Sequence, residues 1–368
     1  MHHPPRTPPE ASRHHTRHLR RPDMGKLPGL GTSLERITMR IWSAFIPVVT
    51  ALILLCSNRS MEGRGESIPR LPGAVLLLGY PPADLTVSTP EQTSKLQEEG
   101  SDGYVIPSIS ADGRVVASAR LIVGDPPSSR PRMVIATYSL PEHRWTEYEG
   151  FETLGGAVAL SPDAAELACL VREQPGKHSR LQVLSLRTGK ATPGPDLWEL
   201  AGTHMSWSPD GRRLVFDRYV RRPADSRNSE PWPEVDIFDL NTGQASKLVD
   251  GLSPAWSPSG EWIAFLGYSP DRPDGKLQSG PPFDLNLVSM IHPDGTGLKT
   301  LATRRPRGDI QTHPPGPVWS PHAKALLISR QSDDLRNTYD IYLLDLSTLK
   351  LTRKFKDTPP VYAWVEAR

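Results

Sequence analysis

With two cysteines in 368 residues, this chain cannot be a disulfide-stapled scaffold. Cys56 lies in an apolar run near the start and Cys169 in a strand-like stretch, so no bond between them is expected and Cys169 reads as a small core residue. Net charge is only +2, too little to draw the chain to nucleic acid or to a lipid surface. Long helical periodicity is missing, which excludes helical bundles. Also missing are the Gly-x-Ser-x-Gly elbow of hydrolases, the His-Glu-x-x-His zinc helix, the phosphate loop and the calcium loop. No catalytic residue, metal ligand or cofactor is therefore assigned.

What the chain has in quantity is proline and glycine, 39 and 29 residues, and a phrase that returns five times. The copies are Ile109-Ser110-Ala111-Asp112-Gly113, Leu160-Ser161-Pro162-Asp163, Trp207-Ser208-Pro209-Asp210-Gly211, Trp256-Ser257-Pro258-Ser259-Gly260 and Trp319-Ser320-Pro321-His322. Their spacing, roughly 47 to 63 residues, suits an array of repeated units. The phrase encodes a hairpin turn: proline has its φ already set, Asp or Ser follows easily, and Gly closes the turn where φ is positive. On this reading Asp112, Gly113, Pro162, Asp163, Pro209, Asp210, Gly211, Pro258, Gly260 and Pro321 are structural, and the aspartates are not catalytic.

After each turn comes a short apolar strand, as at residues 115–121, 166–171, 212–216, 262–266 and 325–329. A second segment follows, such as Asp236-Ile237-Phe238-Asp239-Leu240, then a turn like Asn241-Thr242-Gly243 and a last short strand. Four strands joined by tight turns make one propeller blade. Trp-Ser-Pro-Asp-Gly with the later Asp-Ile-Tyr-Leu-Leu-Asp-Leu at 340–346 resembles the WD40-like (PD40) repeat of TolB-type β-propellers, over about residues 71 to 368. The resemblance implies an all-β fold and a role in envelope protein complexes. Residues 1–70 do not match the α/β domain that precedes the propeller in TolB, so only the propeller carries over.

The ends give the blade number. Asp84-Leu85-Thr86-Val87-Ser88 through Leu96 parallels Asp236 to Leu248, so residues 73–97 supply the second to fourth strands of a blade lacking its first. Pro360-Val361-Tyr362-Ala363-Trp364-Val365 supplies that strand. The expectation is a six-bladed ring with a composite closing blade, which removes exposed sheet edges.

Residues 1–38, rich in His, Arg and Pro, cannot bury a core and are expected to be disordered, upstream of the true start at Met39. The five histidines there, His2, His3, His14, His15 and His18, read as a tail rather than a metal site. Residues 39–57 read as a signal peptide or membrane anchor: as a helix, Ile41 to Cys56 would span roughly 24 Å. Arg36 and Arg40 favour a cytoplasmic N-terminus and an exported ring, periplasmic or in the cell envelope. Residues 58–70 form the linker, and residues 71–368 the propeller.

Binding is expected on loops. Alternate connections share a face, and on one face they are long: 124–132, 221–234, 268–284 and 302–316. They carry Arg130, Arg132, Arg221, Arg222, Trp232, Phe283, Arg304, Arg305 and Arg307, residue types that anchor interfaces. The reading is a non-catalytic, monomeric scaffold for a protein or peptide partner. The alternative is a lactonase- or lyase-like enzyme, or a carbohydrate-binding ring, working from the axial channel, which His204 on an inner strand would face.

Overall fold

The computed structural model describes residues 69–80, 84–96, 104–122, 132–148, 157–172, 179–197, 200–220, 232–267, 287–303, 316–332 and 338–367. Among them every regular element is a strand. In chain order these are β1 (Ala74–Tyr80), β2 (Asp84–Ser88), β3 (Thr93–Lys95), β4 (Tyr104–Ile109), β5 (Val115–Ile122), β6 (Arg132–Ser139), β7 (Arg144–Tyr148), β8 (Val158–Leu160), β9 (Glu166–Arg172), β10 (Ser179–Ser185), β11 (Ala191–Leu197) and β12 (Leu200–Trp207). They continue with β13 (Arg213–Val220), β14 (Trp232–Asp239), β15 (Gln244–Asp250), β16 (Leu252–Trp256), β17 (Ile263–Gly267), β18 (Leu287–Ile291), β19 (Lys299–Thr303), β20 (Val318–Trp319), β21 (Ala325–Gln331), β22 (Tyr339–Asp345), β23 (Leu351–Thr358) and β24 (Val361–Glu366).

They form six four-stranded antiparallel sheets, the blades of an all-β propeller. Blades two to six each use four consecutive strands, beginning at β4, β8, β12, β16 and β20. The first sheet has the order β24-β1-β2-β3, with Trp364 opposite Leu76 and Val365 opposite Val75. The tail of the chain thus lies inside the sheet that begins it.

Alternation along each second strand fills the gaps between blades, because successive side chains point to opposite faces. Leu76 and Leu78 meet Leu327 and Ile341 of blade six, while Val75 and Leu77 meet Val116 of blade two. Phe216 packs with Leu170 and Leu181 of blade three, and its neighbour Val215 with Trp256 and Phe265 of blade five. Each fully buried Leu or Phe adds roughly 1.5–3 kcal/mol, so these seams hold the ring together.

Polar contacts set the register of those seams. The indole N–H of Trp207 donates to the Ala159 carbonyl at 2.8 Å, and that of Trp319 to the Ala255 carbonyl at 2.9 Å. Ser108 and Ser206 accept the backbone N–H groups of Leu160 and Trp256 from the next blade, at 3.1 and 3.0 Å. Trp207 and Trp319 are therefore inter-blade bolts, whereas the Trp256 indole donates to the Gly260 carbonyl of its own turn at 3.2 Å.

Candidate functional site: an axial polar cluster beneath the long-connection rim

The two rims of the ring differ. Turns from first to second strand and from third to fourth lie on one rim, and all are short. Their chemistry is local: Ser110 Oγ donates to Asp112 at 2.6 Å and accepts from the Val115 amide at 3.0 Å, and Ser161 repeats the pattern with Asp163 at 2.6 Å. Ser208 does the same with Asp210 and the Arg213 amide. The serine hydrogen bonds hold the Asp163 and Asp210 carboxyls below the usual carboxylate range. Where Asp is replaced, Ser257 reaches Ser259 at 3.2 Å, and Ser320 still accepts the amides of Lys324 and Ala325.

The fourth turn position is left-handed in all five copies, with φ from 54° to 79° at Gly113, Ala164, Gly211, Gly260 and Ala323. Pro162, Pro209, Pro258 and Pro321 precede it two residues earlier.

The other rim receives the connections between second and third strands and between blades. Residues 123–131, 221–231, 268–286 and 304–317 join strand ends there. Arg130, Arg221, Arg222, Phe283, Arg304, Arg305 and Arg307 lie outside the described residues. Arg132 and Trp232 are strand residues rather than loop residues: Arg132 pairs with Ile122, and Trp232 with Val220. The β13–β14 hairpin extends further than expected because Trp232 to Glu234 pair with Val220 to Arg218. Glu234 is accordingly buried in the blade, with Lys247 Nζ 2.8 Å from its carboxylate.

Beside it, Arg218 Nε lies 2.8 Å from Asp236, a carboxyl that is only 1% exposed. Burial pushes the Asp236 carboxyl up to about 6, against the pull of Arg218 and with help from the negative Glu234. This network lies within blade four.

Near the axis, three polar side chains from two blades converge. His204 lies on β12, Asp217 on β13 and Ser253 on β16. The carboxylate of Asp217 accepts the His204 amide at 3.0 Å and the Ser253 amide, also at 3.0 Å. His204 Nδ1 lies 3.2 Å from Ser253 Oγ and 3.8 Å from Asp217 Oδ2. Ser253 has φ 52°, left-handed for a residue with a side chain, at a bulge where β16 slips against β17. Gly316 lies flush on it: a Cβ there would come within 2.9 Å of the Ser253 carbonyl oxygen.

The trio has the residue types of a hydrolase triad but not its geometry. In a triad the serine and the carboxylate engage opposite ring nitrogens. Here both face Nδ1, and Ser253 is 1% exposed, closed to a substrate. The cluster can hold strands together; it cannot deliver a nucleophile. Sequence reasoning placed His204 near the channel but missed Asp217 and Ser253. For Ser253 the available signal was the residue-Pro step before the strand end, shared by Ile106-Pro107 and Ser253-Pro254, whose first members both have positive φ.

His292 stacks on Trp262 with ring centroids 3.6 Å apart and its Nδ1 2.8 Å from the Glu261 carbonyl, a packing role on the tight-turn rim. Burial pushes the Cys169 thiol up to about 12, so it is inert. Among the described residues no three His, Cys, Asp or Glu side chains gather as a metal site, and no helix is long and apolar enough to cross a membrane. Residues 39–57, including Cys56, and His313 lie outside the described residues.

No family model and no curated protein matches the chain. Among solved structures it is similar to TolB from Acinetobacter baumannii, at 16% identity and a TM-score of 0.55, over 79% of this chain and 66% of that one. The chain has the fold of a TolB-like propeller. The match spans slightly less than two thirds of that TolB chain, and at this identity the likeness is one of fold. The chain is also similar to a chain of a nidogen/laminin complex, at 10% identity and a TM-score of 0.53, over 80% of this chain and 98% of that one. An oligogalacturonate lyase in complex with manganese matches at 20% identity over 76% of this chain and 72% of its own, with a TM-score of 0.45, too low to carry an argument.

Proposed function

We propose that the chain is a non-catalytic β-propeller scaffold that binds a protein or peptide partner through its long-connection rim. One observation carries this reading: every long connection leaves the ring on the same side. The opposite rim consists of tight turns whose serines and aspartates are spent on their own backbone. Long segments mounted together on a rigid sheet scaffold are where binding residues concentrate.

The chain also enters the ring away from that rim. The Pro69 carbonyl accepts the Ser88 hydroxyl at 2.7 Å, beside the β2–β3 turn on the tight-turn side. In this reading residues 1–38 are a tail, 39–57 a signal peptide or membrane anchor and 58–70 a linker, so the monomeric ring works outside the cytoplasm. A propeller of this fold within a nidogen/laminin complex fits a protein-binding role.

The test is photo-crosslinking in the source cell. A photoreactive residue replacing Arg305, between β19 and β20, is compared with one replacing the exposed Thr188 on the tight-turn rim. The expected result is one discrete protein adduct at 305 and none at 188. Adducts at 188 alone, or at neither position, would contradict the assignment.

A further inference from the structure

The His204, Asp217 and Ser253 cluster is built more elaborately than a seam requires. Between blades two and three the Ser108 hydroxyl bridges the inner strands, and between blades four and five Ser206 does the same. Between blades four and five the chain adds a buried carboxylate, an imidazole and a left-handed Ser253.

Each part depends on the others. Asp217 accepts the amides of both strands, one residue from β12 and one from β16, and so clamps them. The left-handed turn at Ser253, strained for a residue with a side chain, is kept by that clamp. Gly316 rests directly on Ser253, so the entry to β20 rests on the same point. Gly316 follows the connection 304–315, and Leu252, next to Ser253, pairs with Leu266 just before the connection 268–286; these two connections are the longest on the rim.

We propose that His204, Asp217 and Ser253 form an acid-sensitive latch that locks the inner strands of blades four and five at the long-connection rim and releases them when the imidazole is protonated.

A neutral ring carries one proton and shares the space at Nδ1 with the Ser253 hydroxyl and the Asp217 carboxylate. A second proton makes both nitrogens donors. The imidazolium then draws Asp217, 3.8 Å away, from the two amides it clamps. Released from Asp217, the Ser253 amide loses its partner and the left-handed turn its support.

Among the described residues packed around His204, β13 contributes Asp217 and, next along the same face, Tyr219; β8 and β16 contribute no titratable side chain. Burial pushes the Tyr219 hydroxyl up, with Asp217 adding to the shift, so it stays neutral throughout. Burial holds the His204 ring down at about 4, so the latch is shut at neutral pH. The sign follows: folded His204 binds its proton less tightly than unfolded, so its contribution to stability is present above pH 6.5 and lost as pH falls towards 4.

The experiment follows backbone hydrogen exchange by mass spectrometry on the whole chain from pH 7 to pH 4, corrected for the intrinsic rate. The peptide spanning 252–256 is compared with the tight-turn peptide 208–213. In the wild type, protection of 252–256 is expected to fall at least tenfold as His204 protonates, before that of 208–213. In His204→Gln, which cannot gain a charge, the two peptides should keep their relative protection down to pH 4.

Parallel loss of protection in wild type and variant would overturn the latch. If His204→Gln does not fold, the imidazole resonances of the wild type decide. Titration below pH 5, coincident with exchange at Ser253, supports the latch; titration near 6.5 without any change in exchange refutes it.

Discussion

The indole N–H of Trp207 reaches across the blade boundary and donates to the carbonyl of Ala159 at 2.8 Å, with Trp207 itself only 6% exposed. Trp319 repeats the contact on Ala255. The residue that opens the repeated phrase is thus the one that fastens each of these blades to its predecessor. Trp207→Phe keeps most of the apolar area but leaves the carbonyl of Ala159 without this donor. A loss of about 1–3 kcal/mol is expected from urea unfolding, against about 3–5 kcal/mol for Trp207→Ala.

The repeat turns offer a gain of stability. Ala164 and Ala323 sit at φ 54°, where three of the five copies have glycine. The left-handed conformation costs a residue with a side chain about 1–2 kcal/mol, and the greater unfolded-state freedom of glycine returns about 0.5–1 kcal/mol of that. Ala164→Gly is therefore expected to stabilise by about 0.5–1 kcal/mol in denaturant unfolding. Ala323→Gly should gain less, because the Ala323 methyl packs against the seam of blades five and six.

The strands were legible for this reason. At residues 161–164 and 320–323 the glycine is lost, yet Ser-Pro remains and still marks the turn, so strand positions could be read from local chemistry alone. Asp217 was not legible. Its partners lie 13 and 36 residues away, one on the neighbouring strand and one on the next blade, and nothing local separates it from a solvated aspartate. The sequence points to a loop at Glu234 because the residues before it are polar and proline-rich. Its burial depends on how far the β13–β14 pairing runs. For the arginines of the long connections the sequence supplies only residue type, which says what such side chains bind but not how they are arranged.

The Asp236 carboxyl makes stability depend on pH. Burial raises it from 3.8 to about 6, so between those values the folded state holds a proton that the unfolded chain has released. Its contribution therefore falls as pH rises from about 4 to about 6. Asp236→Asn should remove that downward slope, measured as the difference between the two melting temperatures across the interval. His204→Gln should change the slope in the opposite sense, since the histidine contribution rises over the same range.

The β24 strand lies within the first sheet, and its Val361 belongs to the seam with blade six. Removing residues 361–368 exposes an edge of β1 and opens both seams of blade one. The truncated chain is expected to lose cooperative unfolding or to aggregate. A truncated protein with the wild-type melting temperature would show that the ring does not depend on this strand.

The central claim is that the long-connection rim engages a partner, and a capture experiment tests it most directly. The chain is immobilised beside a variant carrying Arg304→Glu, Arg305→Glu and Arg307→Glu, and both are exposed to envelope extract from the source cell. The account predicts a discrete protein retained by the first and lost by the second, with both showing the same thermal unfolding. Equal retention by both, or by neither, would contradict a scaffold working through that rim.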